Sequence, residues 1–320
     1  MATNKVIRLA GIVLASAAIV AACGSSATPA PTAAPVIKIG VAFPNSDTFL
    51  SRVQDGMKTE AAAKGVTITI TDAKDDTAAQ LTQVENFVSQ KVSAIIVVPV
   101  DTSAAQPMAD AAKAAGIPIV FVNRNPAIKG VPYVGSDSLF AGQVEMDQLA
   151  KLAGNKGDVV ILEGQVSNEA AVLRTQGCNE KATAAGMKVV STQTGDWDRA
   201  KAQTITENWL QSGTLKAGMV VCANNDEMAL GAINALKAAG ITLVAGTGVL
   251  VGGVDATSEA LAAMQAGDLA TTVFQDAKGQ GKGGIDAAVD LIAGKTVADY
   301  VDVPYVLVTK ENLATYLGAN

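Results

Sequence analysis

From residue 36 onward the chain alternates short β-branched runs with Ala-rich stretches whose apolar positions recur at helical spacing. Residues 36–43 predict a strand, after which Leu50, Val53, Met57 and Ala61 mark one face of a helix ending at Gly65. A strand over 66–71, a helix over 78–90 and a wholly apolar strand over 94–98 follow. Next come a helix over 104–115, stopped by Gly116, and a strand over 119–122. Near-continuous apolar strands separated by helices predict parallel sheets buried on both faces.

The series then restarts. Strands over 159–163, 188–194, 219–222, 249–254 and 270–274 are interleaved with helices over 170–185, 200–211 and 227–239. Landmarks repeat at offsets of 121 to 124: Gly56 and Gly177, Gly65 and Gly186, Asp76 and Asp198, Asn86-Phe87 and Asn208-Trp209, Gly116 and Gly240. A period this long means two lobes of one architecture and not a solenoid of short repeats. The predicted fold is therefore α/β: two similar Rossmann-like lobes with open parallel sheets. Such lobes aim the carboxyl ends of their strands at a shared cleft.

The N-terminus carries a separate signal. Lys5 and Arg8 precede an uncharged apolar run over 9–20, too short to span hydrocarbon but suited to a secretory signal over 1–22. Val20-Ala21-Ala22-Cys23 resembles the lipobox of bacterial lipoproteins, which implies lipidation of Cys23 and anchoring to a membrane surface. An ordinary cleavage site with an incidental cysteine is the competing reading. Residues 23–35 are small, uncharged and Pro/Ala/Ser/Thr-rich, the composition of a tether.

Net charge is −6, which disfavours a nucleic-acid partner. The chain has no histidine, so Ser-His-Asp and Cys-His catalysis are excluded. No nucleophile–base pair or cofactor loop is found, and the expectation is a binding protein without cofactor, not an enzyme. Cys178 and Cys222 are expected as buried free thiols, although an exported location also permits a disulfide.

The strand ends carry the polar chemistry: Asp47 and Phe49 after the first strand, Asn123 and Arg124 after the fourth, then Arg174, Trp197, Asn225, Asp255 and Gln275 in the second half. Carboxylates that accept, guanidinium groups that donate in a fork, and amides that do both suit a polyhydroxylated ring, whose C–H faces pack on aromatics. Competing readings make Asp255 the cap of the helix near Ser258, and Asp226 a helix cap. Phe87 and Trp209, at equivalent helical positions, are assigned to the core, and Asp75-Asp76 to a solvated turn.

The stretch 36–318 resembles the type I periplasmic sugar-binding proteins of ABC importers, the group holding ribose, galactose/glucose and inositol receptors. Its motifs are Ile39-Gly40-Val41 with Asp47-Thr48-Phe49, Phe121-Val122-Asn123-Arg124, Tyr133-Val134-Gly135-Ser136-Asp137, Ala223-Asn224-Asn225-Asp226-Glu227-Met228-Ala229-Leu230-Gly231, Val254-Asp255-Ala256 and Thr272-Val273-Phe274-Gln275. The resemblance implies that the nine strand-end residues contact ligand, with Phe49 and Trp197 stacking on opposite ring faces. Asp47 with Trp197-Asp198 resembles galactose/glucose receptors, whereas Arg124 with Arg174 resembles ribose and inositol receptors.

It further implies an N-terminal lobe of 36–136 plus 276–302, a C-terminal lobe of 137–275 plus 303–320, and a three-segment hinge between them. An ABC permease is the implied partner of a monomeric receptor. Residues 139–150 lack alternating oxygen ligands, so no calcium or other metal is expected. A lactose-repressor-type regulator shares the fold but needs a helix-turn-helix where this chain has its signal. A sugar or autoinducer receptor feeding chemotaxis or signalling stays open.

Overall fold

The structure, a computed structural model, describes residues 36–318; the signal over 1–22, Cys23 and the linker over 23–35 lie outside the described residues. In the first half β1 (Lys38–Phe43), α1 (Thr48–Ala63), β2 (Thr67–Asp72), α2 (Thr77–Ser89), β3 (Ala94–Val97), α3 (Gln106–Ala114), β4 (Ile119–Val122) and β5 (Tyr133–Gly135) alternate. The second half continues with α4 (Ser138–Ala153), β6 (Val159–Glu163), α5 (Glu169–Ala184), β7 (Val189–Thr194), α6 (Arg199–Gln211), β8 (Val220–Ala223) and α7 (Asp226–Ala238). It is completed by β9 (Leu250–Gly252), α8 (Ser258–Ala266) and β10 (Thr272–Phe274). The chain ends through α9 (Ala277–Ile292), β11 (Tyr300–Asp302), β12 (Val306–Val308) and the single turn α10 (Leu313–Tyr316).

The first sheet runs β11-β5-β4-β3-β1-β2, every pair parallel. The second runs β7-β6-β8-β9, also parallel, and isolated bridges Gly252–Thr271 and Asp255–Phe274 join β10 to its edge. β12 closes that side antiparallel to β10. Counted within each half, the strand order is second, first, third, fourth, fifth, so the two lobes share one topology. Because both sheets are covered on both faces, β3, β4 and β8 are buried along their whole length.

The chain passes between the sheets after β5, after β10 and after β11. Hence α4 packs on α5 and β8 in the second lobe, while α9 packs on α1, β3 and β4 in the first. Helices α4 and α9 and strands β5, β11 and β12 were not among the elements predicted from periodicity. The predicted helix over 104–115 is also divided. Asp101 caps a 3₁₀ turn over Thr102–Ala104, and Pro107 opens α3 separately.

The repeated landmarks have physical causes. Asp76 and Asp198 are equivalent N-caps, accepting from Ala79 N at 2.9 Å and Lys201 N at 2.7 Å respectively. Asp76 is thus a cap, not merely part of a solvated turn. Phe87 and Trp209, each 2% exposed, fill the same place under α2 and α6. Gly56 and Gly177 allow close helix crossings: a Cβ would lie 2.4 Å from Lys278 O on α9 in one lobe and 2.5 Å from Leu139 O on α4 in the other. The expected free thiols require correction. Cys178 on α5 and Cys222 on β8 are joined in a disulfide, their Cα atoms 6.7 Å apart where helix and sheet pack face to face.

One equivalent pair breaks the symmetry. Gly213 ends α6 at φ 71°, whereas the matching Lys91 after α2 holds φ 53° with a side chain. The left-handed conformation costs a non-glycine residue roughly 1–2 kcal/mol, and glycine's extra unfolded entropy costs roughly 0.5–1. Lys91→Gly is therefore expected to stabilise the protein by about 0.5–1 kcal/mol in urea unfolding; a loss of stability would contradict this account of the turn.

Candidate functional site

In a parallel α/β lobe every helix begins where a strand ends, so helix N-termini collect around the cleft. Five N-caps line it: Asp47 of α1, Asn168 of α5, Asp198 of α6, Asn225 of α7 and Thr257 of α8. Each spends one side-chain oxygen on a backbone N–H, as Asp47 Oδ1 does on Leu50 N at 2.7 Å and Asn225 Oδ1 on Met228 N at 3.0 Å. The second side-chain polar atoms of Asp47, Asn168, Asp198 and Asn225 are thereby held in fixed positions at the cleft. The cleft encloses about 360 Å³, at the small end for a small-molecule site.

All nine strand-end residues named from the sequence line this one cleft: Asp47, Phe49, Asn123 and Arg124 from the first lobe, and Arg174, Trp197, Asn225, Asp255 and Gln275 from the second. The repeat could have supplied two more. Offsetting Asp47 and Phe49 by 121 gives Asn168 and Ala170, which both line the cleft. Arg199 and Glu227, also at the wall, form an ion pair with Nε–Oε2 at 2.8 Å, and Arg199 Nη1 reaches Glu259 at 2.7 Å.

Two arginines, one per lobe, are almost fully buried. Arg124, 3% exposed, donates through Nη1 to the carbonyls of Pro99 at 2.9 Å and Val100 at 3.3 Å. Arg174, 4% exposed, donates through Nη1 to Asn224 O at 2.6 Å and through Nη2 to Gln275 Oε1 at 3.0 Å and Tyr305 Oη at 2.6 Å. Its Cζ also lies 5.6 Å from the ring centroids of both Trp197 and Tyr305, a cation–π geometry. Among the described residues, Arg124 Nε, Arg174 Nε and Trp197 Nε1 have no hydrogen-bond partner although they are buried. These three buried donors are left without protein acceptors beside the cleft.

Backbone strain concentrates here. Asn123 (φ 66°), Asp196 (52°), Trp197 (65°), Asp255 (122°) and Ala256 (52°) all stand in the left-handed half of φ space. Room for the indole is made by Gly164 at the end of β6, where a Cβ would lie 2.2 Å from the Trp197 ring.

Two helix-cap readings are corrected. Thr257, and not Asp255, caps α8, so Asp255 lies in the cleft wall. Asn225 caps α7, because its extended backbone puts Oδ1 over Met228 N; Asp226 is instead fully buried, accepting from Thr257 N and Thr272 Oγ1, each at 2.7 Å. Burial pushes the Asp255 carboxyl well above the ordinary carboxylate range against the pull of Arg174. Burial likewise raises Asp226 to about 7 and Glu169, at the start of α5, to about 7. The lobes touch through Arg52 Nη2 to Ser258 Oγ at 3.2 Å and Thr102 N to Ser167 O at 3.2 Å.

Two lobes of one parallel topology, closing on a wall of helix caps, buried arginines and an indole, define a two-lobed small-molecule binding protein. The chain belongs to the periplasmic binding protein family, whose domain matches residues 39–296. It is 43% identical over 283 residues to a putative rhizopine-binding protein of Rhizobium meliloti, covering 86% of this chain and 90% of that protein. To the ribose import binding protein of Bacillus subtilis it is 33% identical over 277 residues, covering 86% and 87%. An ABC transporter solute-binding protein from Bacillus halodurans, solved with bound myo-inositol, superposes with a TM-score of 0.84 at 42% identity, covering 89% of this chain and 98% of that one.

The raised carboxyls fix the sign of the pH dependence. Between pH 3.8 and about 7 folded Asp226 keeps a proton that its unfolded counterpart releases, and Glu169 does so from 4.5 to about 7. Their contribution to stability is thus greatest below this window and declines as pH rises through it. The melting temperature at about pH 5 is expected to exceed that at about pH 8; a steady rise from about pH 5 to 8 would exclude buried protonated carboxyls as the controlling groups.

Proposed function

We propose that this protein is the extracytoplasmic solute-binding component of an ABC importer, capturing one monosaccharide or cyclic polyol between its lobes. The observation that carries this reading is the pair of buried arginines, one from each lobe, whose Nε donors lack protein partners in a cleft flanked by Phe49 and Trp197. Such donors, with the Asp47 and Asp255 carboxyls and the amides of Asn123, Asn225 and Gln275, suit a ring carrying hydroxyls all round. Phe49 and Trp197 would take its apolar faces. The relative solved with myo-inositol is 42% identical and the ribose relative 33%, which favours a cyclic polyol over ribose.

In this reading the three crossings act as a hinge, with lobes of 36–136 plus 276–302 and 137–275 plus 303–320. A ligand touching both lobes favours the closed arrangement by its greater affinity for it, and a permease pair then recognises that arrangement. The protein acts by binding as a monomer, without catalysis, cofactor or calcium. Export and tethering rest on the N-terminal sequence, with Cys23 as the lipidated residue. Among the described residues no helix is long and apolar enough to cross a membrane.

Titrating the domain from Val36 onward with myo-inositol, D-ribose, D-galactose and amino acids is the direct test. A polyol at about 100 times its dissociation constant is expected to stabilise by about 2.7 kcal/mol. A shift with an amino acid and none with any polyol would overturn the assignment. Trp197→Ala is expected to weaken polyol binding by at least about tenfold, from loss of stacking worth about 1.5 kcal/mol or more, while leaving the circular dichroism spectrum intact. For the anchor, Cys23→Ser is expected to move the full-length protein from the membrane fraction to the soluble one in the native host; continued sedimentation with membranes would remove Cys23 from that role.

A further inference from the structure

We infer that Gln280, a residue outside the cleft, is a positioning residue that fixes the Asn123 side-chain amide so that its oxygen faces the ligand. The inference rests on the reading of the cleft as the ligand site. It follows from the polarity of a chain of hydrogen bonds that starts at a backbone carbonyl. The Val303 carbonyl, just past β11, can only accept, and Ser136 Oγ, just past β5, donates to it. That hydroxyl has one proton, so toward Gln280 it can only accept. Gln280 therefore turns Nε2 to Ser136 Oγ, at 2.9 Å. Its Oε1 is then left facing Asn123, which must turn Nδ2 toward it, at 2.9 Å. Asn123 Oδ1 accepts nothing from the described residues, and Asn123 lines the cleft.

Each link is held from the side. Gln280 has no exposed surface and Ser136 is 5% exposed, so water does not compete with the relay. Reversing it would take the Ser136 proton away from the Val303 carbonyl, which can only accept, and would set two donors against each other at Ser136 or Asn123. Tyr133 Oη donates to Asn123 O at 3.0 Å, fixing the strained backbone from which the amide projects. The cleft at this point thus presents an acceptor, and the ligand group that meets Asn123 must donate, as a hydroxyl does and an ether or carbonyl oxygen does not. The same relay ties Asn123 to two of the three segments that cross between the lobes, those at Ser136 and Val303.

Neutron diffraction from deuterated, ligand-free protein reads the polarity directly. Deuterons are expected on Asn123 Nδ2 toward Gln280 and on Gln280 Nε2 toward Ser136; a Gln280 amide facing the other way would overturn the inference. The functional test pairs two variants. In Gln280→Glu the buried carboxyl, assayed at about pH 5 as the neutral acid, can donate to Ser136 and accept from Asn123 as the amide does. Affinity for myo-inositol by calorimetry is expected to stay within about threefold of the unaltered protein in Gln280→Glu and to fall about tenfold in Gln280→Met. Equal losses in both variants, or none in Gln280→Met, would refute a positioning role. Failure of the unaltered protein to bind myo-inositol would count against the cyclic-polyol reading alone, since the deuteron positions decide the relay without ligand.

Discussion

Arg174 is the residue on which the second half of the cleft depends. Burying a guanidinium costs less where its donors are met, and here the two Nη nitrogens are bonded to three different parts of the chain. These are the end of β8 through Asn224, the end of β10 through Gln275, and the segment after β11 through Tyr305, while Nε has no partner among the described residues. The same group lies over two aromatic rings and close to the Asp255 carboxyl. Removing it would take a donor away from each of these places. The site wall and the crossings between lobes are therefore one electrostatic unit and not two features that happen to adjoin.

Much of this was legible in the sequence because the duplication preserves what the backbone needs. Glycines at helix crossings, aspartate caps and one large aromatic per lobe recur at nearly fixed spacing, since helix packing and capping leave few alternatives at those places. The strand-end rule then led to residues that the fold brings together from positions as far apart as Asp47 and Gln275. Asn168 was equally legible in principle, since the offset that relates the lobes projects Asp47 onto it, but its own loop carries no motif that marks it.

What was not legible has a common cause in tertiary context. Helix α9 contains four glycines in 16 residues, a composition that intrinsic propensity counts against a helix. It is helical because Gly281 lets it settle against the backbone of α1, where a Cβ would lie 2.2 Å from Val53 O. Strands β5, β11 and β12 have three residues each, too few to show a period. Asp226 follows the usual cap pattern by composition, yet the true cap is one residue earlier, and the carboxyl is turned inward to two threonine-derived donors. The pairing of Cys178 with Cys222 likewise depends on how helix α5 lies on β8, which spacing alone does not specify.

The order of strands in the first sheet carries a consequence for how the chain comes to be folded. Strand β11 forms one edge of that sheet and α9 covers part of its face, yet both are encoded after strands β6 to β10 of the second lobe. A chain that emerges N-terminus first cannot finish the earlier lobe until residues 277–302 have appeared, whereas β6 to β10 lie in one continuous stretch. Long-range pairing of this kind is slow, because the intervening loop must be closed before the contacts that reward it form. Until residues 277–302 have been made, the β5 edge of the first sheet has no β11 to pair with and the face under α9 stays uncovered.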